Sequence, residues 1–440
     1  MSNNFKQTDI GLIPDDWEVL NISEVSKFSR GISWRKSEES VKGILVISIP
    51  NIRDGSIKFN SKFNHYINKN ITDNKKLLVG DIVFVGSSGS IHNIGRNALI
   101  NYLPFDIVAF ASFTFKAKVN KEKIDNNFFY FLVNSPIISF QKYTKRSADG
   151  KFNFQLQEFQ RTAKIPYMPL PEQKKIAYVL SKIQQAIETQ EQIIKTTQEL
   201  KKALMQKLFT EGLNGEPQKQ TEIGLIPKSW EVVMISSLGD IVTGTTPRTA
   251  IERYYIPKEI DFIAPADIGK TKYIYDSEKK ISNEGLTVIR PLPKGSVLCV
   301  CIGSSIGKVG LSYKNISTTN QQVNSIVCNQ NYNSEFIYYL FSYYADYWRR
   351  FASPNPVPIL SKGKFEQIEM PVSKNLNAQT KIAQILSSID GKIEFSANSK
   401  NILMDLFQST LNQLMTGQIR VKDIEFEIEK TQLSLLEKGR

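Results

Sequence analysis

With 440 residues, 41% of them apolar, the chain is long enough for two to four domains with cores of their own, and its strand-sized apolar runs fall well short of the roughly 20 residues that cross a bilayer. Cys299, Cys301 and Cys328, odd in number and without a CxxC spacing, argue against a disulfide framework, and with only His65 and His92 beside them they argue against structural zinc. The net charge of +13 is concentrated in two segments: residues 1–170 hold 23 Lys and Arg against 15 Asp and Glu, and residues 218–374 hold 18 against 14, whereas 171–217 (7 against 6) and 375–440 (8 against 8) are nearly neutral. A uniformly lysine-rich composition would have raised all four, so the pattern fits folded domains that bind a polyanion.

Gln7 to Val19, QTDIGLIPDDWEV, returns at Gln220 to Val232 as QTEIGLIPKSWEV with ten of thirteen residues identical, so the chain is two tandem copies of one unit. In the first copy, Trp17 to Val25 leads into a loop at Arg30 to Lys36. Apolar runs at Ile44–Ile49, Ile82–Val85 and Val108–Phe115, bounded by Asn, Asp and Gly, read as buried strands. A helical stretch at Phe128–Tyr143 gives way to the polar loop Lys145–Lys151. Pro171 then suits the first turn of a helix that meets no further Gly or Pro until Gly212, a left-handed cap, for a length of roughly 60 Å.

The second copy parallels the first, with a loop at Thr243–Tyr254, strands near Ile260–Ala264 and Val297–Ile302, a helical stretch at Phe336–Phe351 and a loop at Ser353–Lys364. Its long helix starts with Asn377 as N-cap and stops at Gly417. Pro171 to Ile183 is echoed by Asn377 to Ile389, and Leu208-Phe209-Thr210 by Leu414-Met415-Thr416. Between the domains' ends the middles share shape more than sequence: GDIVFVGSSGSI from Gly80 resembles GSVLCVCIGSSI from Gly295. That is one frame carrying two different surfaces.

Apolar residues of the first helix at Ile176, Leu180, Ile183, Ile187 and Ile194, and of the second at Ile382, Leu386, Ile389, Ile393, Leu403 and Phe407, follow the four-three alternation of a coiled-coil seam. Gln190 and Ser396 interrupt it at matched places, which trades stability for register. Each helix packing only on its own domain is the alternative, although a lone helix of this length would be marginal.

Catalytic motifs are missing. GSSIGKV at Gly303–Val309 has three residues between its glycines where a phosphate loop needs four, and Val309 stands where Ser or Thr would hold magnesium, so it reads as a tight turn after a strand. There is no HExxH, no GxGxxG opening a strand-to-helix unit and no Asn/Asp-Pro-Pro-aromatic tetrad. Cys299 and Cys301 alternate along an apolar strand as core residues do.

The duplicated QT[DE]IGLIP-xx-WEV openings, the junction at Ile165–Ile183 and the LMTGQIRV close at Leu414–Val421 resemble the specificity subunit of type I restriction-modification enzymes. The resemblance covers nearly the whole chain. It implies an α+β fold of two β-rich mixed target-recognition domains, joined by two long antiparallel helices in a coiled coil with a pseudo-two-fold internal repeat. Expected boundaries are 1–165 and 218–372 for the domains, 166–217 and 373–425 for the helices, and 426–440 for a C-terminal tail. It implies a non-catalytic, cytoplasmic subunit that reads a bipartite asymmetric site on double-stranded DNA. Two methyltransferase subunits and two restriction/translocase subunits would be its partners, with no membrane. S-adenosylmethionine, ATP and Mg belong on those partners, and no cofactor or metal on this chain.

Loop position, charge and hydrogen-bonding capacity select the candidate DNA contacts. In the first domain they are Arg30, Trp34, Arg35 and Lys36, then Ser88, Ser90, His92, Asn93 and Arg96, and finally Lys145, Arg146 and Lys151. In the second they are Thr245, Thr246, Arg248, Arg253 and Tyr254, then Ser304, Ser305 and Lys308, with Lys362 and Lys364. Two other functions stay open on sequence alone: a self-sufficient methyltransferase or nuclease with an unrecognised motif, and a basic scaffold for acidic partners.

Overall fold

The structure, a computed structural model, describes residues 4–53, 55–60 and 62–421, so the expected tail at 426–440 lies outside the described residues. The chain divides into two compact units, Met1–Thr189 with Lys400–Arg440, and Gln190–Ser399. Each long helix therefore gives one half to each unit. Among the described residues no helix is long and apolar enough to cross a membrane.

Unit 1 opens with a hairpin of β1 (Phe5–Thr8) and β2 (Gly11–Pro14). The Thr8 hydroxyl donates to Gly11 O at 2.7 Å, Gly11 takes φ +101°, and the chain turns so that Trp17 N donates to Pro14 O. Unit 2 rebuilds the same hairpin from β11 (Gln218–Thr221) and β12 (Gly224–Pro227), with Thr221 donating to Gly224 O at 2.8 Å. The repeated motif is thus a turn with its own internal bonds. Its purpose is to deliver a tryptophan. Trp17 is fully buried in one core with Leu411, Leu414 and Met415, the last turns of the helix α4 (Leu376–Met415). Trp230 lies in the other with Leu208 and Phe209, the last turns of the helix α2 (Leu170–Glu211). The two short echoes found in the sequence are therefore the two sides of one contact.

Within unit 1 a four-stranded antiparallel sheet runs in the order β7 (Asn97–Leu99), β5 (Ile82–Val85), β8 (Thr114–Val119), β3 (Ser26–Arg30). The short strand β4 (Ser56–Ile57) lies beside β7. Unit 2 repeats the order as β16 (Val309–Ser312), β15 (Val297–Val300), β17 (Val323–Cys328), β13 (Gly239–Thr243), with β14 (Tyr273–Ile274) paired parallel to β16. A helix covers each sheet, α1 (Asn126–Val133) or α3 (Ser334–Tyr343), and buries Phe128 or Phe336.

A fully buried glutamine ties each of these helices to a long one. Gln173 Oε1 accepts from Asp125 N, and its amide donates to Met168 O and Lys123 O. Gln379 does the same to Asn333 N, Ser373 O and Asn331 O. Asp125 and Asn333 are the N-caps of α1 and α3, so one amide fixes a cap to a long helix's first turns.

The long helices run antiparallel, as the resemblance implies: Ile176 and Leu180 near the start of α2 share a core with the end of α4, and Ile382 and Leu386 near the start of α4 share one with the end of α2. Ile183, Ile187, Ile194, Ile389, Ile393, Leu403 and Phe407 are half-buried, and Thr197 and Ser396 are buried. The seam is thus driest at its ends, where the domains also cover it, and polar toward the middle. Gly212 and Gly417 take φ +71° just past the helix ends, as expected of left-handed caps.

Four local expectations are corrected. Val108–Phe115 is two strands, because Thr114 N and its hydroxyl both bond Ala111 O in a turn that moves the chain between sheets. The stretch Phe128–Tyr143 is α-helical only to Val133, since Pro136 follows and disfavours helix before it, and it ends in a separate 3-10 turn at Phe140–Tyr143. The helix expected at Phe336–Phe351 breaks at Tyr344, where the Trp348 indole donates to Phe341 O and takes the carbonyl the next turn would use. The N-cap of α4 is Asn375, not Asn377: its side chain accepts from Asn377 N and Ala378 N.

Candidate nucleic-acid interface

Two of the expected loop clusters of unit 1 come together on a second, three-stranded sheet. Strand β6 (Ser87–Ser88) pairs with β10 (Phe152–Phe154), and β10 pairs with β9 (Thr144–Arg146). Ser88 and Arg146 consequently flank Phe152 from either side, and the Arg146 guanidinium lies 5.8 Å from its ring centroid. Arg30 joins them by donating to Phe154 O at 2.8 Å. Lys145, within β9, and Lys151, just before β10, are exposed, within ion-pair reach of Glu158 (3.9 Å) and Asp149 (3.5 Å). The Ser147 hydroxyl and then the Lys151 N–H hydrogen-bond the Asp149 carboxyl, bracing the loop between these cations and holding the carboxyl below its usual value.

Ser88 Oγ accepts from Ser90 N and Asn93 Nδ2, both at 3.2 Å, so this loop is braced from within, and His92 is exposed on its turn. Arg96 reaches Asn93 Oδ1 at 3.4 Å and Ile49 O at 3.3 Å, holding two loops together. Trp34, Arg35 and Lys36 go elsewhere. The Trp34 indole donates to Glu39 Oε1 at 3.0 Å and packs against His65 and Ile32 in a small satellite core, with Arg35 and Lys36 exposed beside it.

In unit 2 the turn after β15 holds Ser304, Ser305 and Lys308, with Gly303 at φ +89° and Gly307 at φ +102°, so the near-miss phosphate loop is a turn after a strand. A bridge between Ile302 and Ile359, with Gly303 N donating to Pro358 O, joins this turn to the loop 353–360. Thr246 donates to Gln321 Oε1 at 2.6 Å, drawing the loop after β13 to the turn before β17, with Thr245 bonded to Thr319 O. Arg248 is exposed past it. Arg253 bonds Glu284 at 2.9 Å beside Tyr254, on a separate turn. Lys362, 3.3 Å from Glu366, and Lys364 lie on the short helix Lys362–Gln367.

Strand register shows how one frame carries two surfaces. Phe115 pairs with Arg30 and Phe84, and at the same crossing of unit 2 Asn324 pairs with Thr243 and Cys299. Beneath the tip, unit 1 stacks Phe84, Phe115 and Phe154 at 4.8 and 4.9 Å, whereas Asn324 Oδ1 accepts from the Thr243 hydroxyl at 2.7 Å. One step outward, Ser112 and Phe113 occupy the turn that Gln321 and Gln322 occupy in unit 2. These four, with Phe152 and Asn153, are not among the residues selected from the sequence. An apolar run hid the first pair, but the Asn-Gln-Gln at 320–322 stood between two strand-like segments and could have been chosen.

The cysteines are packing groups. Burial pushes the Cys299 thiol well above its usual value, Cys301 up to about 12 and Cys328 up to about 11, so all three are protonated at neutral pH.

Similarity to known proteins follows the same layout. The chain is 26% identical over 439 residues to the MjaVIII specificity subunit of a type I restriction enzyme from Methanocaldococcus jannaschii, covering 96% of this chain and 97% of that one. It is 33% identical over 201 residues to the MjaIX specificity subunit of the same organism, covering 43% and 46% of the two chains. A crystal structure of a type I restriction-modification S subunit from M. genitalium shares the fold at a TM-score of 0.57 and 15% identity, over 94% of this chain and 99% of that one. The family model for the type I restriction modification DNA specificity domain matches twice, at residues 14–199 and 227–404. The chain belongs to the type I restriction-modification specificity subunits.

Proposed function

We propose that the chain reads a split, asymmetric site on double-stranded DNA, one half per unit, and directs adenine-N6 methylation and cleavage by partner subunits. The observation that carries this reading is the pair of matched frames whose tips differ at equivalent register positions, Arg30 against Thr243 and Phe113 against Gln322. Phosphate neutralisation by the exposed lysines and arginines would supply most of the affinity, and side chains reaching base edges the discrimination. The long helices would set the unread spacer, about 60 Å being the length of a 42-residue helix. Two methyltransferase subunits, binding S-adenosylmethionine, and two ATP- and Mg-dependent restriction/translocase subunits would do the chemistry in the cytoplasm, and this chain none.

The test is methylation mapping with the assembled complex. Replacing Lys145 and Arg146 together by Ala should weaken or redirect one half-site and leave the other as it was. Equal loss at both halves would sink the modular reading.

A further inference from the structure

The units differ sharply where each recognition domain meets the start of its own long helix. In unit 2 this junction is filled by a lysine. Lys272, directly before β14, places Nζ 3.0 Å from Glu335 Oε2 on α3 and 2.7 Å from Ser387 Oγ on α4, near the rings of Tyr273 (4.6 Å) and Tyr339 (5.6 Å). Tyr273 donates to the second Glu335 oxygen at 2.6 Å. Burial works to raise the Glu335 carboxyl, but the bonds from Tyr273 and Lys272 outweigh it and hold the group below its usual value.

The shared frame locates the same place in unit 1. Ile57 packs with Val83 and Val85 as Ile274 packs with Leu298 and Val300, which puts Gly55 where Lys272 stands. The N-caps Asp125 and Asn333 align Asn127 with Glu335 and Phe131 with Tyr339. The helix echo aligns Ser181 with Ser387 and Gln184 with Asp390. Here the junction is an open cleft of about 330 Å³, lined among others by Gly55, Asn127, Phe131, Ser181, Gln184 and Glu188. A side chain at Gly55 is disfavoured, because the residue takes φ +70° and a Cβ there would press on Tyr130 Oη, 2.7 Å away.

We infer that this cleft binds an alkylammonium group from outside, the cation that unit 2 supplies from its own chain. The serine is retained, the neutral amides of Asn127 and Gln184 stand where unit 2 has carboxylates, and Glu188 brings a carboxylate to the lip, where it accepts from Gln184 Nε2 at 3.0 Å. An ammonium has three donors and no acceptor, which suits the Glu188 carboxylate with the Ser181 hydroxyl and amide carbonyls as further acceptors, and Phe131 offers the apolar body against which a methylene stem packs. The source is either a free small amine or a lysine side chain of a partner chain.

The probe is n-butylammonium, with 1-butanol as its neutral counterpart, followed by ligand-observed NMR on the full chain. Butylammonium should bind about 10-fold more tightly than butanol, the worth of a charge-assisted bond, and Glu188→Gln should remove most of that margin. Ser181→Leu should fill the cleft and abolish binding; circular dichroism reports whether it folds, and Glu188→Gln on an exposed turn carries the test if it does not. Equal affinity for the alcohol, or unchanged amine binding in Glu188→Gln, would overturn the site. Adding the partner subunits proposed above then separates the sources, and only this arm rests on that proposal. Loss of the probe signal identifies a partner's lysine, and its persistence a free amine, the site standing in both cases.

Discussion

In unit 2 the end of a long helix and the hairpin that packs on it are neighbours in the chain: Phe209 meets Trp230 across 21 residues, with Gly212 and Gly215 at positive φ making the turn between them. In unit 1 the same contact joins the two ends of the described chain, and a clamp is added to it. Arg420 donates to both oxygens of Glu172 at 2.8 and 3.0 Å and to both of Asp16 at 2.8 and 3.0 Å, while lying over the Trp17 ring. Asp16 and Arg420 are 404 residues apart. Loop closure over that distance costs only roughly 2–3 kcal/mol more than over 21 residues, because the cost grows as the logarithm of length. The Arg420 network adds four charge-assisted bonds at this closure. The two closures reach the same contact from unequal connectivity, and the one whose parts the chain does not hold together carries an added ion network.

That comparison can be broken most directly at Arg420. Its side chain and that of Glu172 are 8% and 5% exposed, so Arg420→Ala leaves a buried carboxylate unpaired and should destabilise unit 1 by about 3–5 kcal/mol. Unit-resolved hydrogen exchange should find the loss in unit 1 with unit 2 unchanged. A loss shared equally would mean that closure is not local.

The buried glutamines test the opposite claim, that the units are alike. Gln173→Leu and Gln379→Leu each remove three matched bonds and leave backbone groups unsatisfied, so each should cost about 2–3 kcal/mol in denaturant unfolding. Unequal costs would show that the shared bonds do unequal work.

The helix caps should differ by less. A Cβ at Gly417 would meet Pro14 Cγ at 2.3 Å, while one at Gly212 would meet the movable end of Glu216. Gly417→Ala should therefore cost about 1 kcal/mol more than Gly212→Ala, seen as a lower melting temperature.

The smallest effect concerns acid. Glu335 has a folded-state pKa below its unfolded value, so its contribution is present above the ordinary carboxylate range and lost as pH falls through the lower folded value. Glu335→Gln should flatten the stability loss of unit 2 on acidification below about pH 4.5, and unit 1, with Asn127 at this place, should keep its own slope.

The sequence by itself determined what lies close along the chain. The hairpin motif is legible because its bonds run from Thr8 to Gly11 and from Thr221 to Gly224, and the long helices because apolar spacing and terminal glycines are local signals. The frame behind both recognition domains was legible because repetition displayed it twice. Tertiary structure alone decided which loops meet. Ser88, Arg146 and Arg30 are joined through one strand, Thr246 is joined to Gln321, 75 residues away, and Trp34 is drawn into a satellite core. It alone decided that one lysine fills a junction in unit 2 while a glycine leaves its counterpart open. The reason is physical: periodicity and caps are properties of neighbouring residues, whereas a surface is made by strands distant in sequence whose register is set by burial on their other face.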